Sequence, residues 1–314
     1  MSFTANAHIS GSFASLQAGS RAGNVGAVQQ IIAHRGASAT FPEHTRAAYV
    51  EALAQGADGL ECDVQLTADG VVVLWHDATL DRTSDASGRL HERTLAELRA
   101  LDVWSWKGVG APPASHGTPE EQLLTLTDLV DLAVGAGRPV TLVVELKHPS
   151  PAGQGLEDAV LATLEAAGWD AASGRIGATS VDVTFMSFSP ASQRHLAARV
   201  PAERLMFLVD EVGDADLVAE LAPDGGADAA TVARLRALVA EARADVVAGR
   251  IGGLGPSLAW CRAHPDEVRA AVALGRTVRV WTVDDAADAH FLAGLGVTGL
   301  TTNRPGALRA ELEG

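Results

Sequence analysis

Three carboxylates, two histidines and two cations are spaced along this 314-residue chain so that they could act as one site: Glu61, Asp63 and Glu145, His34 and His76, Arg35 and Lys147. Glu61 and Asp63 are two residues apart, and on an extended strand such residues share one face. Glu145 and Lys147 repeat that spacing. Three carboxylates aimed at one point repel one another unless a cation neutralises them. Carboxylate oxygens without cysteine or clustered histidine suit one hard divalent cation, Mg2+ or Ca2+. Arg35 and Lys147 beside them would hold an anion, and the planar fork of arginine matches phosphate. Two histidines complete a general acid and a general base. Cation, paired histidines and basic clamp together are equipment for displacement at phosphorus. Each piece alone has an ordinary use: a strand-end histidine as a hydrogen bonder, paired carboxylates as ion pairs, Trp281 as core. The chemical reading rests on their falling together at the ends of several strands.

Those ends follow from the alternation of short apolar runs with amphipathic stretches from Gln30 onward. Strands are expected at 31–34, 60–64, 140–147, 183–188, 205–209, 246–251, 277–283 and 299–302. Helices are expected at 45–54, 156–167, 191–199, 229–243, 265–273 and 286–295. Eight strands separated by helices predict an α/β fold with a parallel sheet closed as a (β/α)8 TIM barrel, whose active site lies at the C-terminal ends of the strands. A doubly wound open sheet is the alternative, but no Gly-x-Gly-x-x-Gly follows the first strand. Val71–Trp75 follows the second strand too closely for a parallel crossover, so an antiparallel hairpin is expected. A two-residue turn at Asp69-Gly70 would place His76 opposite Asp63. Residues of about 77–123 read as a small insertion above the barrel mouth, and 210–230, acidic and glycine-rich, as a surface loop. The domain layout is thus a loose arm over 1–28 and one barrel domain over 29–314.

The run His34-Arg-Gly-Ala37, then Pro42-Glu-His-Thr45 and Gly56-Ala-Asp-Gly-Leu-Glu61-Cys-Asp63-Val64, resembles the glycerophosphodiester phosphodiesterases. The likeness continues through Thr67-Ala-Asp-Gly70, His76-Asp77, Leu80-Asp-Arg-Thr83, Glu145-Leu-Lys147, Ser187-Phe188, Trp281-Thr282 and Thr302-Asn-Arg-Pro305, covering roughly residues 31–308. The resemblance implies a (β/α)8 barrel with an insertion after the second strand. It implies a divalent cation on Glu61, Asp63 and Glu145, catalysis by His34 and His76, and phosphate contacts from Arg35 and Lys147. The implied reaction takes a glycerophosphodiester and water to glycerol 3-phosphate and an alcohol, through attack of the glycerol 2-hydroxyl and a cyclic phosphate. Glu43 is expected to orient a neighbour or cap the first helix, and Phe188 and Trp281 to wall the glycerol carbons. Trp104 and Trp106 are the expected leaving-group contacts. His44 stands where many members have Asn, and Asn303 where many have Asp. Phosphoinositide-type phospholipases and sphingomyelinase D share the fold and the paired histidines, but the full set at Glu61, Asp63, Glu145 and Lys147 favours the glycerophosphodiesterases. A catalytically silent binding protein would have lost one of these groups, and none is lost.

A net charge of −15 argues against nucleic acid or an anionic membrane surface as partner, which leaves a small-molecule diester. Lysine occurs only at Lys107 and Lys147, so a lysine near the carboxylates is conspicuous. Two cysteines, Cys62 and Cys261, make no disulfide framework, and the first thirty residues show no leader pattern. A cytoplasmic enzyme without stable membrane insertion is the expectation.

Overall fold

The computed structural model describes residues 30–221 and 228–314. The expected arm over 1–28 lies outside the described residues. The first half runs β1 (Gln30–His34), α1 (Arg46–Ala54), β2 (Gly59–Leu66), β3 (Val72–Leu74), α2 (Leu95–Arg99), α3 (Leu126–Gly135), β4 (Val140–Leu146), α4 (Gly155–Ala166) and the minor strands β5 (Trp169–Asp170) and β6 (Arg175–Ile176). It continues with β7 (Val181–Ser187), α5 (Pro190–Leu196), β8 (Leu205–Val209), α6 (Asp214–Leu221), α7 (Ala229–Ala248) and β9 (Gly253–Pro256). The last elements are α8 (Leu258–Ala263), α9 (Pro265–Ala273), β10 (Thr277–Val280), α10 (Ala286–Gly294), β11 (Gly299–Thr302) and α11 (Pro305–Glu313).

Eight of the strands pair in parallel as a closed ring, in the order β1, β2, β4, β7, β8, β9, β10, β11 and back to β1. This is the expected (β/α)8 barrel. Its strands alternate between two apolar layers, because successive side chains on a strand point to opposite faces. Leu60, Cys62 and Val64 of β2, and Leu142, Val144 and Leu146 of β4, join the large core between barrel and helices. Ile32, Val143, Met186, Met206 and Leu208 form a separate cluster from the other faces, which is the barrel interior. Glu61, Asp63 and Glu145 therefore belong to the inner face by alternation. Helices are started by side-chain caps where the sequence supplies them: Thr45 accepts from Ala48 N–H at α1, and Thr125 and Asp128 form a capping box at α3.

Three local expectations need correction. The sixth strand is β9, not 246–251, which hold the end of α7 and its left-handed cap at Gly249. β9 reads Gly-Leu-Gly-Pro, with no β-branched residue. A Cβ at Gly255 would lie 2.6 Å from Leu208 Cδ2, and one at Gly253 3.0 Å from Met206 Cε, so packing against the side chains of the neighbouring strand β8 leaves β9 without an apolar signal. Within the expected loop 210–230, residues 214–221 form α6, anchored by buried Leu217 and Val218. The hairpin register also differs by one. Val64 pairs with Leu74, Gln65 with Val73 and Leu66 with Val72. Thr67 N–H bonds to Val71 O at 3.0 Å, which makes Ala68-Asp69-Gly70 a three-residue loop with Gly70 at φ +79°. Trp75, not His76, thus stands opposite Asp63, its N–H bonded to the Asp63 carbonyl at 3.0 Å.

Candidate active site

Two elements built from sequence-local causes bring the first half of the site together. After β1 the chain turns sharply at Arg35, whose φ is +56°, and again at His44, at +61°. Positive φ is uncommon in non-glycine residues, and both lie beside the carboxylates. The first turn points Arg35 N–H at Glu61 Oε2, 2.9 Å away. The second buries His44 with its Nε2 2.9 Å from Asp63 Oδ2 and its Nδ1 2.9 Å from the Tyr49 hydroxyl. After β3 the ladder ends, and Gln65 Nε2 reaches the carbonyls of Trp75, His76 and Asp77 at 3.0, 3.1 and 2.6 Å. That clamp carries His76 out of strand alternation, so the one-residue register difference does not turn it away from the mouth.

His34, Arg35, Glu61, His76, Glu145, Lys147, Phe188 and Trp281 all line one cleft of about 850 Å³ at the C-terminal ends of the strands. Asp63 lies beneath its floor, fully buried. Glu43 stands behind Arg35, not on the wall of the cleft. It accepts from Arg35 Nη1 at 3.0 Å and from both Arg82 Nη atoms at 2.8 Å, while the cap of α1 is Thr45. Of the two expectations for Glu43, orienting a neighbour fits its contacts. Phe188 and Trp281 meet edge to face at 5.6 Å, and Trp281 Nε1 donates to Gly255 O at 2.9 Å. Trp104 and Trp106 do not line the cleft. Trp104 is buried, stacks 5.7 Å from Phe41 and donates to Gly110 O, so it packs the insertion against the barrel. The insertion residues that reach the cleft are Asp77, Ala78, Thr79, Arg89 and His91.

Glu61, Asp63 and Glu145 each offer an oxygen within 4.8 Å of the others, and all three are buried. Their charge is partly met. Arg35 Nε lies 2.9 Å from Asp63 Oδ2, and Lys147 Nζ lies 3.3 Å from Asp63 Oδ1 and 2.7 Å from Glu145 Oε1. Burial pushes Asp63 up, but Lys147, Arg35 and His44 outweigh it and hold the carboxyl well below the usual carboxylate range. Glu61 goes the other way: burial and the neighbouring Asp63 push it well above that range. Burial pushes Glu145 up to about 8 against the pull of Lys147. Two cations cannot keep three buried carboxylates ionised, and the fully buried Asp63 Oδ1, apart from its ion pair with Lys147 at 3.3 Å, accepts no well-aligned hydrogen bond. An all-oxygen cluster with an orphaned acceptor fits a hard divalent cation.

The histidines are set differently. Asp284 accepts from Asn303 Nδ2 at 2.6 Å, which turns Asn303 Oδ1 toward Ser38 Oγ at 2.8 Å and His34 Nδ1 at 2.8 Å. His34 therefore carries its proton on Nδ1 and keeps a lone pair on Nε2. Burial, with Arg35 nearby, pushes His34 down to about 4, so it is neutral at pH 7. His76 Nδ1 instead lies 2.6 Å from the Asp77 carboxylate, which Arg82 holds in turn at 2.6 Å. Sequence reasoning gave no role to Asn303, Asp284, Gln65 or Arg82, although Asn303, Arg82 and Asp77 sit inside the quoted motifs. It also missed Arg279, on β10 inside the barrel, whose buried guanidinium is pushed down to about 10 and whose Nη1 lies 3.5 Å from Thr184 Oγ1.

Comparison with known proteins agrees with this geometry. The sequence model of the Glycerophosphoryl diester phosphodiesterase family matches residues 34–307. A "Probable glycerophosphodiester phosphodiesterase 1" of Mycobacterium tuberculosis is 38% identical over 283 residues, covering 90% of this chain and 92% of the relative. A Bacillus subtilis glycerophosphodiester phosphodiesterase is 29% identical over 87% of this chain and 83% of its own length. Among solved structures, an Oleispira antarctica phosphodiesterase in complex with the product sn-glycerol-3-phosphate superposes with a TM-score of 0.64 at 23% identity, over 91% of this chain and 98% of that one. That likeness is one of fold. No helix among the described residues is long and apolar enough to cross a membrane.

Proposed function

Because the chain belongs to the glycerophosphoryl diester phosphodiesterase family, we propose that it hydrolyses glycerophosphodiesters to glycerol 3-phosphate and an alcohol, with His34 and His76 as the acid–base pair. The observation that carries the assignment of roles is the contrast between the two histidine environments. A neutral histidine with a free Nε2 suits a base, and a histidine whose Nδ1 is held by a carboxylate is oriented to present Nε2 to the leaving group as an acid.

Glu61, Asp63 and Glu145 would hold one Mg2+ or Ca2+. Bound there, the ion would offset charge developing on the phosphoryl oxygens. Arg35 and Lys147 contact the phosphate, with Glu43 and Arg82 fixing the Arg35 fork. Phe188 and Trp281 lie against the glycerol carbons. His34 takes the proton of the glycerol 2-hydroxyl as its oxygen attacks phosphorus, and His76 gives its proton to the departing alcohol. In the second half His76 takes a proton from water as that oxygen attacks the cyclic phosphate, and His34 returns its proton to the 2-oxygen. Both histidines end as they began.

The test is release of glycerol 3-phosphate from choline, ethanolamine, glycerol and inositol esters by protein stripped with EDTA and reloaded with Mg2+ or Ca2+. Activity should vanish on stripping and return on reloading. A substrate whose glycerol lacks the 2-hydroxyl should be inert, and its hydrolysis at a normal rate would exclude the cyclic route.

A further inference from the structure

Beside the cleft lies a second chamber of about 450 Å³ that the reaction above does not use. Phe188, Leu208 and Asp210 belong to the walls of both cavities, so the two adjoin along that rim. Beyond it the walls are Val212 and Leu217 from the β8–α7 connection, Val239 and Ala240 from α7, and Trp260 from α8. The chamber also has charged residues, and its two arginines already have partners. Arg236 is bound by Asp214, and Arg243 by Glu267 while lying 5.5 Å from the Trp260 ring centre. His264 Nε2 lies 2.9 Å from Glu211 and its ring stacks on Trp260. At the rim, the Asp210 carboxylate accepts the Glu211 N–H. Beyond the acidic edge at Asp210 and Glu211 the wall offers apolar contact and arginines that are already paired, which is the wrong lining for a phosphate.

We infer that this chamber receives an apolar chain carried by the diester substrate, so that the enzyme's preferred glycerophosphodiesters are alkyl- or acyl-bearing. This rests on the phosphodiesterase reading above. The shared rim at Phe188, Leu208 and Asp210 fits an occupant joined to a group bound in the cleft. At roughly 30 Å³ for each water-sized group, the volume suits on the order of ten methylenes. The chain could hang from the glycerol or from the leaving alcohol. The reaction is the same in either case: water's oxygen ends on phosphorus, and the alcohol leaves with a proton.

Two soluble substrate series separate these sources. One carries acetyl, butyryl, hexanoyl or octanoyl on the glycerol 1-position of glycerophosphocholine. The other replaces choline by butyl, hexyl or octyl alcohol. In one series kcat/KM should rise by up to about fourfold per methylene, the ratio expected for burying one CH2. The rise should stop near the chamber's capacity. Ala240→Phe, which narrows the chamber, should blunt the rise and leave glycerophosphocholine turnover unchanged. Val239→Thr, nearly the same shape, should reduce the rise if the larger residue perturbs folding. Calorimetric titration with octyl phosphate reads the chamber without turnover: it should bind the wild type at least tenfold more tightly than Ala240→Phe. Flat chain-length profiles in both series, or a rise and an octyl phosphate affinity that neither substitution changes, would overturn the inference. Failure to cleave any glycerophosphodiester would instead strike the underlying activity, while octyl phosphate binding would still decide the chamber.

Discussion

The raised carboxyls at the heart of the cleft turn metal binding into a proton-release reaction. With its carboxyl pushed up to about 8 by burial, Glu145 is mostly protonated at pH 7 in metal-free protein. Glu61, pushed up by burial and by Asp63, adds to this. Asp63 contributes none, since Lys147, Arg35 and His44 keep it ionised. A divalent cation needs ionised ligands, so its binding at pH 7 should expel about one proton from Glu145 and up to about two with Glu61. The sign follows. Protons compete for the same oxygens, so affinity is lost as pH falls and gains about tenfold per pH unit for each proton released. Above pH 8 the Glu145 share fades. The assay is isothermal calorimetry of Mg2+ or Ca2+ binding at pH 7 in two buffers of different ionisation enthalpy. The slope of apparent enthalpy against buffer enthalpy counts protons. Lys147→Met removes the ammonium 2.7 Å from Glu145 and should extend the proton release to higher pH. A slope of zero at pH 7 would refute the charge argument, and with it the claim that these three carboxylates share one ion.

Other predictions follow from single contacts. His34→Ala and His76→Ala should each lower kcat by about 10²–10⁴, and the double change by less than their product, because the residues act in one proton circuit; near-normal kcat in His76→Ala would remove it from the mechanism. Gln65→Leu deletes the clamp on the His76 bend, so kcat should fall about 10–100-fold while calorimetric metal affinity holds; equal loss of both would mean general disruption of β2. Trp104→Ala should cost about 3–5 kcal/mol of stability by denaturant unfolding, since the ring is buried against Phe41, and should leave the ranking of substrates unchanged; a reordered ranking would restore the tryptophan to the site.

The parts of the site legible in the sequence are those fixed by strand alternation. Glu61, Asp63, Glu145 and Lys147 sit at spacings of two on apolar strands, so once a barrel is inferred their inward direction follows. What alternation could not reach is what lies after a strand ends. His76 reaches the cleft because Gln65 gathers three carbonyls of an irregular bend, and no periodicity encodes that. Asn303 meets His34 across 269 residues, through the β1–β11 seam that closes the barrel. Its motif was visible, but its role depends on the ring closing. β9 was misplaced for a related reason. Its inward positions must be glycine to clear Met206 and Leu208, so the strand carries almost none of the apolar signal by which strands are found. The acidic 214–221 helix is hidden by its own charge: among its described side chains, Leu217 and Val218 mark the buried side.

Charge distribution explains why this site needs so few cations in so acidic a chain. Arg35 and Lys147 have two calls on them. Nε of one and Nζ of the other lie within 3.3 Å of Asp63. On the proposed reading a phosphate diester draws on the same two groups. Glu61 and Glu145, both pushed up by burial, would then be the ligands whose negative charge develops on binding a divalent cation. On that reading, a divalent cation on the three carboxylates would share in neutralising Asp63 and leave the guanidinium and the ammonium more available to the substrate. Glu43 and Arg82 hold the Arg35 fork through bonds of 2.8–3.0 Å that do not involve Asp63. The expected outcome is that substrate affinity depends on the ion even for a ligand that never touches it, and an equal affinity of metal-stripped and metal-loaded protein for such a ligand would refute the idea.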